Sequence, residues 1–131
     1  MISLSSATRI FIVTGATDMR KSFNGLYGIV AHQLHEDPMS GHVFVFCNRS
    51  RNRIKLLVWD GSGLWVCAKR LEKGSFHWSW DTDNPSTTIP HESLSLLLGG
   101  LDLNQIKPRS WYRKNNLPKP DPNQTEIPIG I

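Results

Sequence analysis

Between His42 and Trp80 the chain holds four short runs rich in β-branched and aromatic residues, "HVFVFC", "RIKLLVW", "LWVCAKR" and "FHWSW". Gly, Asn, Asp and Ser bound them, which is how strands are read from sequence. Parallel neighbours need a long crossover between them, so such short links predict an antiparallel meander. "DGSG" (Asp60 to Gly63) supplies residues that accept the positive φ of a tight hairpin. "LEKGS" holds another glycine for the next turn, and the first link, "NRSRNR", is unusually basic.

Ahead of these runs, "RIFIVTG" from Arg9 predicts a first strand ending at glycine. From Thr17, the apolar positions Met19, Phe23, Leu26, Tyr27, Val30 and Leu34 recur at helical spacing and predict one long helix. Thr17 or Asp18 would cap it, and Pro38 would stop it. Gly25 and Gly28 inside it cost about 1 kcal/mol each relative to alanine, and are read as allowing close packing on the sheet. After the strands, the Ser/Thr residues before Pro90 and Glu92 mark a second helix start. Leu94, Leu97 and Leu98 give that helix an apolar face, and Gly99-Gly100 end it. The expected fold class is α+β: a small single domain over residues 1–111, an antiparallel β-meander packed with one long helix and one short C-terminal helix. Residues 112–131 are expected to form a proline-rich flexible tail. The change of character begins at Lys107, beyond which five prolines and no period are found, with Trp111 and Tyr112 as candidate anchors.

A length of 131 residues fits one domain, and 39% hydrophobic content with five Trp and five Phe suffices for one modest core. No stretch approaches the roughly 20 apolar residues of a membrane span. No charged leader precedes an apolar block, so the expected location is cytoplasmic, away from any membrane. Cys47 and Cys67 show no CxxC spacing and read as small buried hydrophobes. A disulfide between them would require their strands to pair.

The net charge of +4 is unevenly distributed. Residues 49–73 hold Arg49, Arg51, Arg53, Lys55, Lys69, Arg70 and Lys73 against only Asp60 and Glu72, whereas residues 74–106 contain no Lys or Arg. A basic segment within a folded region is the footprint of a polyanion-binding face, set against the plainer reading of a solvated surface. Period-two alternation places Arg51, Arg53 and Lys55 on one strand face. Trp65, Lys69 and Arg70 return along the adjacent strand, a pattern that suits stacking and phosphate contact. For Trp59 and Trp78 a core position is the better reading. Arg20 and Lys21 fall in the expected first helical turn, where the helix dipole disfavours cations by roughly 0.3–1 kcal/mol each. Asp18 or a nucleic-acid phosphate would offset them.

Catalytic patterns are lacking: there is no Walker loop, no HExxH and no GxSxG. His32, His35 and Glu36 share the expected helix face but lack a fourth ligand, so solvent-facing histidines are the better reading. Asp18, Asp60, Asp81, Asp83 and Glu92 do not have the spacing of a nuclease acid cluster. No catalytic residue, metal ligand, cofactor or small-molecule substrate is assigned.

Three ordered blocks carry a resemblance: "TDMRKSFNGL", then "SGHVFVFCNRSRNRIKLLVWDGSGLWVCAKRLEKGSFHW", then "LSLLLGGLDL". Together they resemble the accessory TnpB protein of the sixty-six family of bacterial insertion sequences, over roughly Ile2 to Trp111. The resemblance implies a role in transposition beside a separate, larger transposase that carries the catalytic acids, and it transfers no catalytic residue. Matching positions include Asp18, Arg20, Lys21, Gly25, Arg53, Lys55, Trp59, Asp60, Lys69 and Arg70. Ser22 stands where the family usually has glycine and Asn24 where it usually has aspartate, which removes one partner for Arg20 or Lys21. The favoured expectation is a non-catalytic DNA-binding or transpososome-assembly factor. Its partners would be DNA, the transposase and other proteins of the same insertion sequence. Arg20, Lys21, Arg49, Arg51, Arg53, Lys55, Lys69 and Arg70 would meet phosphate and Trp65 would stack. The alternative is a protein-interaction adaptor of the transposase with no direct DNA contact.

Overall fold

The structure, a computed structural model, describes residues 5–78 and 83–99. The expected tail, Trp111, Tyr112 and the last two residues of "FHWSW" lie outside them. The elements are β1 (Ile10–Val13), α1 (Phe23–Gly28) running into a π-helical stretch (Ile29–Gln33), β2 (Val43–Cys47), β3 (Arg53–Trp59), β4 (Leu64–Arg70), β5 (Ser86–Ile89) and α2 (His91–Leu98). The five strands form one sheet in the order β4-β3-β2-β1-β5. The class is α+β.

β2, β3 and β4 pair antiparallel through their short links, Val45 opposite Leu56 and Leu56 opposite Cys67. The sheet as a whole is mixed, however, and not a simple meander. β1 runs parallel to β2, with Phe11 beside Phe44, because the segment between them is long enough to carry a helical crossover. The run "FHWSW" supplies no strand among its described residues. Instead Phe76 donates its amide to the Arg51 carbonyl at 2.6 Å and the Trp78 indole donates to the Val13 carbonyl at 3.0 Å, so both rings drop into the core. The fifth place goes to "STTI", a stretch expected to lead into a helix; its β-branched residues pair antiparallel with β1, Ile10 opposite Ile89.

The long helix is also corrected. Asp18 accepts the Arg20 amide at 2.9 Å, and its own carbonyl accepts the Lys21 amide at 3.1 Å, closing a turn where a first helical turn was expected. Side-chain oxygens of Asp compete with the helical ladder in this way. Helix α1 therefore starts at Phe23 behind Ser22, which makes no side-chain cap. It does not reach Pro38 either. The Leu34 amide bonds the Ile29 carbonyl at 3.0 Å, an i→i+5 bond, and His35 takes φ of 56° while Glu36 bonds back to Val30. The helix thus unwinds through a wide turn and a left-handed residue. Gly25 is packed on the Lys21 stem, where an added Cβ would lie 3.0 Å from Lys21 Cβ, whereas a Cβ at Gly28 would meet open space. Neither glycine is needed for approach to the sheet.

Two cores follow from the two sheet faces. On one, α1 and the π-helical stretch bring Leu26, Ile29, Val30 and Leu34 onto Phe11, Val13, Phe44, Phe46 and Leu57. On the other, Phe76, Trp78, Leu94 and Leu97 cover Ile10, Ile12, Val43, Val45, Ile54 and Leu56. With both faces covered, β1 and β2 are buried along their whole length, which is why they read as unbroken apolar runs without alternation. Phe11 and Phe44 stack across the parallel pair, ring centroids 5.1 Å apart. Cys47 and Cys67 are free thiols on strands separated by β3, so no disulfide forms. Burial pushes the Cys47 thiol up to about 12. Trp78 is core as expected; Trp59, at the end of β3, is half-buried.

Candidate nucleic-acid interface

The two parallel strands β1 and β2 end side by side, and the loop that leaves each is held by the chain itself. After β1, Gly15 turns with φ of 79° and the buried Thr17 donates its amide to the Cys47 carbonyl at 2.7 Å, stitching the loop to the last residue of β2. After β2, the Asn48 carboxamide oxygen accepts the Asn52 and Arg53 amides, each at 3.0 Å, while its nitrogen donates to the Asn52 side chain at 2.8 Å. The basic link "NRSRNR" is therefore a tied loop presenting Arg49 at its tip. Arg51 sits within that loop at φ of 59°. It precedes β3, so strand alternation does not carry it onto the face of Arg53 and Lys55, which was the expectation.

Between the two loops lies an open recess of about 450 Å³ lined by Thr17, Asp18, Asn48, Arg49, Ser50 and Arg53. It lies outside the carboxyl ends of the parallel pair β1 and β2. A second recess of about 380 Å³ adjoins it across β3 and β4, and Met19 and Arg53 line both. The two form one trough with Arg53 at the middle.

Pairing decides which cations share that trough, since residues directly opposite on neighbouring strands lie on one face. Arg53 is opposite Arg70, and Lys55 is opposite Ala68 and Phe46, all on the α1 side. Lys55 donates its amine to the Lys21 carbonyl at 2.8 Å, joining β3 to the turn before α1. Arg20 and Lys21 therefore flank the trough from that turn, not from a helix terminus. Arg20 already has a partner: Asp18 accepts its Nε at 3.1 Å and Nη2 at 2.8 Å. The Arg20 guanidinium and amide hold the Asp18 carboxyl down at about 2.

Trp65 and Lys69 are on the other face. Trp65 is opposite Val58 and Lys69 opposite Ile54, both of the α2-side core. Lys69 donates to the Leu98 carbonyl at the end of α2, and burial pulls its amine below the usual lysine range. Trp65 is 40% exposed, with its Nε1 donating to Asp60 at 2.7 Å. Asp60 also accepts the Ser62 and Gly63 amides and the Ser62 hydroxyl, which together hold its carboxyl far below the ordinary range.

The sequence-assigned residues thus divide: Arg49, Arg53, Lys55 and Arg70 line the trough, Arg20, Lys21 and Arg51 stand at its margins, Lys69 lines the second recess although its strand position belongs to the α2 side, and Trp65 lies on that other face. Among the described residues the ion pairs are Arg20–Asp18 at 2.8 Å and an exposed Arg70–Glu72 contact at 3.4 Å. Arg49, Arg53 and Lys55 pair with no acid there. Thr17, Asn48 and Ser50 were missed as lining residues; the turn preference of Asn before a basic link is the signal that marks Asn48. His35, at positive φ beyond the helix, does not share a helix face with His32.

The family described as "IS66 Orf2 like protein" matches residues 8–108 of the chain. Two relatives from Sinorhizobium fredii (strain NBRC 101917 / NGR234) are similar to it. "Uncharacterized protein y4jC" is 37% identical over 107 residues, covering 82% of this chain and 91% of the relative. "Uncharacterized protein y4hO" is 36% identical over 102 residues, covering 78% and 88%. No solved structure matches.

Proposed function

Because the chain belongs to the IS66 Orf2-like family of insertion-sequence accessory proteins, we propose that it serves transposition without catalysing it, by laying its trough along the sugar–phosphate backbone of DNA. The observation that carries this reading is the direct opposition of Arg53, which lines both recesses, and Arg70, which lines the second. Like charges directly opposite on a sheet destabilise it, and a phosphate between two guanidiniums turns that cost into charge-assisted hydrogen bonds. Arg49 from the Asn48 loop and Lys55 from β3 extend the row, with Arg20, Lys21 and Arg51 beside it. Contacts of this type position DNA without reading its bases. The protein then acts by holding the element's DNA beside the transposase.

The second reading, an adaptor that docks the transposase without touching DNA, is favoured by the exposed Trp65 on the opposite face. Fluorescence anisotropy of a labelled duplex against salt separates the two. Phosphate contact makes log K fall linearly with log salt, with slope about −0.9 per phosphate. Absence of binding at low salt, with transposase still co-purifying from nuclease-treated extract, would favour the adaptor and reject the trough.

A further inference from the structure

The two edges of the sheet differ. β5 is four residues long and bracketed by Pro85 and Pro90, which suits a guarded edge. β4 is seven residues long, contains no proline, and has no strand beyond it among the described residues. Its outward hydrogen-bonding groups follow from the pairing. The Asp60 amide donates to the Gly63 carbonyl, and the Leu71 amide to the Asn52 carbonyl, bracketing the β3–β4 ladder. Bonded and non-bonded pairs alternate along an antiparallel ladder. Trp65, Cys67 and Lys69 therefore turn their backbone groups toward β3, and Leu64, Val66, Ala68 and Arg70 turn theirs outward.

We propose that β4 pairs antiparallel with β4 of a second copy of this chain, about a two-fold axis at Cys67, joining two sheets into one. In this register the outward groups meet their like: Leu64 faces Arg70 of the second copy and Val66 faces Ala68. Trp65 comes opposite Lys69 and Cys67 opposite itself, both as close non-bonded pairs. The occupant is a second copy because the strand complements itself when reversed, an exposed aromatic near one end and cations at the other. Reversal about Cys67 sets the exposed Trp65 of each copy against Lys69 of the other and Leu64 against Arg70, and leaves no two cations directly opposite. The exposed face of Trp65 gains the Lys69 stem. A two-fold axis perpendicular to the sheet keeps both Arg53–Arg70 faces on one side, yet the association is independent of DNA binding.

The test uses the full chain without DNA. Sedimentation is expected to give two chains per particle. Oxidation with copper–phenanthroline at alkaline pH is expected to link Cys67 to Cys67, since a non-bonded antiparallel pair places the Cα atoms about 4.5 Å apart, within disulfide reach. Two thiols lose two protons and two electrons to the oxidant. Cys47 is fully buried on β2, so Cys67→Ser should abolish the link. Val66→Pro removes an amide that points away from β3, a position proline tolerates, and is expected to give single chains with a retained melting transition. A particle of one chain, or a dimer that neither links through Cys67 nor responds to Val66→Pro, would overturn the proposal. If Val66→Pro fails to fold, the Cys67 link in the unaltered strand decides alone.

Discussion

Arg53 and Lys55 are neighbours in the trough but are held by opposite forces, so substituting each separates binding from stability. Arg53 faces Arg70 across the ladder and has no acid partner among the described residues. Arg53→Gln removes the repulsion and is expected to stabilise the fold by about 0.3 kcal/mol, well within the range for cross-strand pairs. Lys55 donates to the Lys21 carbonyl at 2.8 Å. Lys55→Met keeps the stem and loses that bond, costing about 0.5–1 kcal/mol. For a domain of this size the melting temperature should rise by about 2 °C in the first case and fall by about 4 °C in the second. Binding should weaken in both. If Arg49, Arg53, Lys55 and Arg70 each meet one phosphate, the unaltered protein has a salt slope of about −3.6 and each variant about −2.7. Between 50 and 200 mM salt that is a loss of about 150-fold against about 40-fold. Anisotropy titrations at several salt concentrations and thermal melts by circular dichroism read the two axes independently. An unchanged slope in both variants would refute the phosphate assignment. A destabilised Arg53→Gln would show that the Arg53–Arg70 pair is compensated from within the protein.

Three further outcomes are expected. Trp78→Phe leaves the Val13 carbonyl without its buried donor and opens a void in the α2-side core, costing about 2–3 kcal/mol; a melting temperature within experimental error of the unaltered protein would contradict this. Gly28→Ala places a methyl in open space on a helical residue and should stabilise by up to about 1 kcal/mol, checked by denaturant titration. Asp18 is held at about 2 against its ordinary 3.8 by Arg20. A depressed carboxylate contributes stability that is full above its unfolded value and is lost as pH falls through its folded value. The melting difference between the unaltered protein and Asp18→Asn should therefore be present at about pH 6 and shrink toward pH 2, and a difference that grows with acid would reverse the assignment.

The strand runs and the short second helix were legible because each is a local pattern: alternation or unbroken apolar residues between turn formers in β2 to β4, a leucine face in α2. What escaped was set by longer-range competition. Asp18 had two partners for its oxygens, a helical amide or Arg20, and sequence does not rank them; the choice moved the helix start to Phe23. Phe76 and Trp78 looked like a strand because buried aromatics favour strands, yet their partners were carbonyls of Arg51 and Val13 far along the chain. Without that segment in the ladder, the weakly patterned "STTI" took the vacant edge of β1. At the candidate site, composition marked the basic segment, but period two could not tell that Arg51 lies before the strand, nor that Trp65 falls on the other face of the sheet.

The position of β1 between β2 and β5 imposes an order on assembly. The hairpins from β2 to β4 close between near neighbours, and β1 can join β2 once the crossover is made. Its other side waits for Ile89 to reach Ile10, and loop-closure entropy makes such distant pairings the late ones. On the ribosome, the strand "IFIV" emerges well before its last neighbour, "STTI". Throughout that interval one flank of the most apolar strand is open. β5 is thus a latch: a chain cut short of Ser86 keeps both hairpins yet exposes a bare apolar edge to any other nascent chain, and premature termination yields aggregate before it yields a smaller working domain.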